Sequence, residues 1–82
     1  MLSIARYDLT IGTNEIRVFP GRVVHVASVR EVARLWIVYA IGVPKEEWRV
    51  VLVGTGADVP DGGEYLGTAI DSGGELHAFR VA

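Results

Sequence analysis

The chain has 82 residues, half of them hydrophobic, with eight Lys and Arg against ten Asp and Glu and a formal charge of −2. This length bounds the protein to one domain over residues 1–82 with a modest core. The slightly acidic balance excludes a broad basic surface for nucleic-acid phosphates, so no nucleic-acid partner is expected. The absence of Cys excludes disulfides, thiolate metal sites and a Cys nucleophile.

The longest apolar run, Leu35 to Val43, is far shorter than the roughly 20 residues a membrane-spanning helix needs. The N-terminus shows no basic region, apolar core or cleavage site of a signal peptide. A soluble, cytoplasmic protein with no membrane partner is the expectation. The apolar fraction is high for so small a chain, which predicts that some of it covers a homo-oligomer interface.

Ile4 to Thr10 alternates as a strand, with Ala5, Tyr7 and Leu9 on one face. Gly12-Thr13-Asn14 reads as a turn, and Glu15 to Phe19 alternates again before the turn dipeptide Pro20-Gly21. Arg22 to Val29 is a Val-rich strand, with Val24 and Val26 facing one way and Val23, His25 and Ala27 the other.

The segment 28–42 supports two readings. Ser28 and Glu31 form a Ser-x-x-Glu capping box, and Val29, Val32, Ala33, Trp36, Ile37 and Ala40 fall at helical spacing. The other reading bends the chain at Arg30-Glu31 and alternates Leu35, Ile37, Tyr39 and Ile41 along a strand. Its β-branched and aromatic residues suit that strand.

Lys45-Glu46-Glu47 reads as a solvated connector, and Trp48 to Val53 as a strand buried on both faces or at an interface. Gly54 to Glu64 is a glycine-rich loop that leads into the strand Tyr65 to Ile70. A turn at Asp71-Ser72-Gly73-Gly74 follows, then a last strand with His77, Phe79 and Val81 opposite Leu76, Ala78 and Arg80. Six to seven short strands predict a mainly β fold, a small antiparallel barrel or sandwich. A helix at 28–42 would make it α+β.

The pattern Leu35-Trp36, Val53-Gly54-Thr55-Gly56, Pro60, Tyr65-Leu66-Gly67-Thr68 and His77-x-Phe79 resembles a family of small phage proteins of unknown function. Its members share a mid-chain Trp strand, a Gly-Thr-Gly loop, a Tyr-x-Gly-Thr strand and a closing His-x-Phe. The resemblance covers the chain from Val24 onward. It implies a β-rich fold, a phage or prophage origin and hence a host-cell cytoplasm, and it transfers no catalytic role. It also implies a hairpin bend before the Trp strand, although Val29-Arg30-Glu31-Val32 has no Gly or Asn for that turn.

Gly54-Thr55-Gly56 can present backbone N–H groups to an anion, or simply supply a strand-end bend with positive φ. It is neither a Walker loop nor a dinucleotide fingerprint. His25 and His77 match no metal-ligand spacing, so no metal or cofactor is expected. His77 is the stronger candidate because it stands in the closing motif. Asp58, Asp61 and Glu64 supply carboxylates, but three in a Pro- and Gly-rich loop point to turn formation. No serine lies in a Gly-x-Ser-x-Gly elbow, and nucleophilic catalysis is therefore unsupported. Trp36, Trp48, Tyr39, Tyr65, Arg34 and Arg49 are residue types that recognise purine rings and phosphates, and equally ones that fill cores and interfaces.

These observations predict a ligand site from Gly54, Thr55, Gly56, Asp58, Arg49, Trp36, Tyr65, Thr68 and His77. The expected function is a phage accessory protein of anti-defence type, a homo-oligomer that sequesters a small nucleotide-derived ligand without turnover. The alternatives are a module that binds and inhibits a host protein, and a small hydrolase or lyase using His77 and an acidic loop residue.

Overall fold

The structure, a computed structural model, describes residues 1–82. It contains seven strands and no helix: β1 (Leu2–Leu9), β2 (Gly12–Val18), β3 (Gly21–Val29), β4 (Val32–Ala40), β5 (Glu46–Gly54), β6 (Glu64–Asp71) and β7 (Gly74–Val81). All pairings are antiparallel. They form a three-stranded sheet of order β1-β4-β3 and a four-stranded sheet of order β2-β5-β7-β6. The fold is therefore the mainly β one predicted, and of barrel and sandwich it is the sandwich.

The core lies between the sheets and follows the period of two that an antiparallel sheet imposes. Ala33, Leu35 and Ile37 of β4 and Trp48, Val50 and Leu52 of β5 are its centre, all buried. Leu9, Val18, Val26, Ala69 and Ala78 close the same cluster. β5 is buried on one face only, because Arg49 is exposed and Val51 and Val53 are half-buried. The expectation of burial on both faces fails for that reason.

The helical reading of 28–42 is overturned. β4 is the central strand of its sheet and pairs with β1 on one side and β3 on the other. A helix there would leave both neighbours without a ladder partner, and the capping box at Ser28 cannot offset that. The bend falls at Arg30 and Glu31, with φ of 52° and 66°. Two successive left-handed residues are the backbone of a type I′ hairpin turn, which usually takes Asn-Gly. The Glu31 Oε2 accepts an exposed hydrogen bond from Ser72 Oγ of the other sheet's β6–β7 turn at 2.8 Å.

Three local expectations shift as well. Gly12-Thr13-Asn14 opens β2 instead of forming the turn. The Asn14 amide caps the corner before it, accepting from Thr10 N at 2.8 Å and donating to Thr10 O at 2.8 Å. Glu46 and Glu47 lie within β5 instead of a connector. A bulge between Val23 and His25 breaks the simple alternation of β3. Val26 is consequently buried while Val24 is exposed, so the two do not share a face.

Candidate functional site: a hydrogen-bonded chain on the four-stranded sheet

The outward face of β7 carries Glu75, His77 and Phe79. Register places Thr68 of β6 and Val53 of β5 directly beside His77, and Tyr65 and Val51 beside Phe79. Both nitrogens of His77 are engaged. Thr68 Oγ1 lies 2.9 Å from Nδ1, and Thr55 Oγ1 lies 2.8 Å from Nε2. Thr68 is bonded in turn to the Tyr65 hydroxyl, and Thr55 donates to Glu75 Oε1 at 3.3 Å.

With the imidazole neutral, the hydrogen bonds all run in one direction. A carboxylate only accepts, so Thr55 donates to Glu75 and its oxygen is left to accept from Nε2–H. Nδ1 then accepts from the Thr68 hydroxyl, whose oxygen accepts from Tyr65. The neutral imidazole is thereby held as the Nε2–H tautomer. Tyr65 is exposed, its ring 5.6 Å from that of Phe79 and tilted by 55°.

Beside these bonded side chains is an open groove of about 280 Å³. The sheet supplies Val53, His77 and Phe79, and the loop after β5 supplies Thr55, Gly56, Ala57 and Val59. The loop folds over Phe79, since a Cβ on Gly63 would lie 3.2 Å from the Phe79 Cβ. Gly56 has a φ of 94° and the Ala57 N–H closes the turn onto Gly54 O at 3.2 Å. The glycine loop is thus a positive-φ strand-end bend that carries Thr55 to His77.

Of the predicted site residues, the structure brings together Gly54, Thr55, Gly56, Tyr65, Thr68 and His77. Asp58 is exposed on the same loop but does not line the groove. Arg49 is on the same sheet but several residues along β5 from Gly54, about 17 Å away. There it binds Glu15 through Nη2 at 2.8 Å and Nε at 3.2 Å. Trp36 is on the other sheet, in register with Arg6 of β1 and His25 of β3. Its ring lies 5.2 Å from that of His25.

Glu75 and Phe79 also belong to the site, beyond the predicted set. Their one signal in the sequence is the period of two, which puts them on the His77 face. A larger cleft of about 540 Å³ lies at the opposite end, lined by Glu15, Trp48, Arg49 and Arg80 among others. Its arginines are already paired, Arg49 with Glu15 and Arg80 with Glu46 at 3.6 Å. Arg80 also stacks 3.9 Å from the Trp48 ring centroid. The arginines of this cleft are engaged in ion pairs, whereas the His77 groove is where most of the predicted site residues meet.

No three His, Asp or Glu side chains converge in a geometry suited to a metal. No helix is long and apolar enough to cross a membrane. No curated protein matches the chain, and no solved structure matches it. A family model described as "Domain of unknown function (DUF7352)" matches residues 1–82. The chain therefore belongs to that family of domains, and in this member the fold is a seven-stranded sandwich.

Proposed function

We propose that the protein binds a small nucleotide-derived ligand on the outer face of its four-stranded sheet and holds it without turnover. The observation that carries this reading is the one-directional series Tyr65–Thr68–His77–Thr55–Glu75 bordering an apolar groove. Such a border offers fixed acceptor oxygens beside an apolar floor, a few placed polar groups on an apolar wall as in a small-ligand site. A groove of about 280 Å³ holds one ring system. The rest of a nucleotide then extends over Tyr65 and Thr68, where the exposed phenol ring offers a stacking surface.

Binding without catalysis is favoured because the two hydroxyls nearest His77 are committed to its hydrogen bonds. The Glu75 carboxylate meets His77 only through Thr55. With the phage origin that the resemblance implies, the biological role we infer is to sequester a nucleotide signal of host defence in the host-cell cytoplasm. The test is calorimetry and thermal shift with a panel of cyclic and ADP-ribose-type nucleotides, with mass analysis of the recovered ligand. Saturable binding, ligand recovered unchanged and loss of binding in His77→Ala are the expected results. No heat and no thermal shift across the panel, or a consumed ligand, overturns the reading.

A further inference from the structure

The two sheets have four edges, and three of them are guarded. β3 and β6 each carry a bulge, between Val23 and His25 and between Tyr65 and Gly67, and the two strands pack on each other. β2 turns only polar side chains outward, Thr13, Glu15 and Arg17, and Pro20 follows it. Bulges, outward charge and proline are the usual means of preventing edge-to-edge pairing.

β1 has no bulge, no proline and no covering strand. Its eight residues pair with β4 from Leu2 to Leu9 without a register break, and no strand pairs with its other side. Its outward face carries Leu2 and Ile4, 68% and 61% exposed, and then Arg6 and Asp8. Arg6 has no carboxylate partner within the chain. Asp8 meets Arg34 Nε through Oδ1 at 2.9 Å, and its side chain remains 63% exposed.

We propose that β1 pairs antiparallel with β1 of a second copy, with Tyr7 on the twofold axis. The two three-stranded sheets then become one continuous sheet. The sign alternation of β1 is self-complementary in this register. Each Arg6 stands opposite the partner's Asp8, so a charge pair forms on either side of the axis from one isologous contact. In this register Ile4 stands opposite the partner's Thr10, Ser3 opposite the partner's Ile11 and Leu2 opposite the partner's Gly12, so the ladder between the two β1 strands runs from Ala5 to Leu9. The contact leaves the His77 groove free, because that groove is on the other sheet.

The test measures mass by light scattering across protein concentration, with hydrogen exchange of the β1 amides. A species of twice the 8.9 kDa chain mass is expected, with β1 amides that slow as the dimer fills. Arg6→Glu sets like charges against each other on both sides of the axis and weakens the dimer about tenfold or more, with the circular dichroism unchanged. Arg17→Glu, on the β2 edge, leaves the dimer constant unchanged. A chain that stays monomeric up to about 1 mM overturns the proposal. So does a dimer whose β1 amides exchange freely, or one that Arg6→Glu does not weaken.

Discussion

Val26 stands directly against Gly67. A Cβ at position 67 would lie 2.8 Å from the Val26 Cγ2 and 2.9 Å from its Cβ. The two bulged edges, β3 and β6, close the sandwich at this point, and the missing side chain is what lets them approach. The glycine of the Tyr-Leu-Gly-Thr segment is therefore a packing residue. Gly67→Ala is expected to cost about 1–3 kcal/mol through overpacking, read as a fall in the urea midpoint. Val26→Ala in the same chain recovers part of that loss, and the double-mutant cycle shows a coupling of opposite sign to the single effects.

The direction of the hydrogen bonds around His77 fixes its tautomer. Long-range nitrogen NMR at neutral pH should show Nε2 protonated and Nδ1 bare. Thr68→Val removes the donor to Nδ1 and the acceptor of the Tyr65 hydroxyl together. A stability loss of about 1 kcal/mol is expected, with the two tautomers then mixing. An Nδ1–H tautomer in the unsubstituted protein would refute that bond direction.

Arg30 and Glu31 occupy left-handed backbone with ordinary side chains. Each residue costs about 1 kcal/mol in that conformation. The double substitution Arg30→Asn with Glu31→Gly supplies the residue types this turn favours and should stabilise the fold by about 1 kcal/mol net. The bond from Ser72 to Glu31 is lost, but it is exposed and weak. The melting temperature is expected to rise by about 4–8 °C.

The separation of Arg49 and Trp36 from the groove makes a further prediction. Arg49→Ala and Trp36→Ala should leave nucleotide binding within about twofold of the unsubstituted protein, since neither lines the groove. Thr55→Val and Tyr65→Ala should weaken it about tenfold or more by removing a hydrogen-bonding hydroxyl or the stacking ring. Titration calorimetry on the four variants distinguishes this groove from the cleft at Arg49.

Fold class and most strand positions are legible in the chain's own alternation, because alternation reports burial directly. Ala5, Tyr7 and Leu9 read as one face, as do Leu76 and Ala78, and each set does lie on the inner side of its strand. The closing His-x-Phe and the Gly-Thr-Gly loop also mark the strands that meet at the site. The rest depends on how the sheets assemble. The strand reading places the bend at Arg30-Glu31, but no Gly or Asn marks the turn, because its two strained residues are held by the pairing of β3 with β4. The bulges at Val24 and Leu66 are invisible to a period of two, and the first reassigns the faces of β3. Trp36 and Arg49 look like companions of His77 by residue type, yet sheet order puts one on the opposite sheet and the other at the far end of β5. Which residues share a site depends on strand order and register. Both are set by which strands bury Leu35, Ile37, Val50 and Leu52 together, and no local stretch of sequence carries that information.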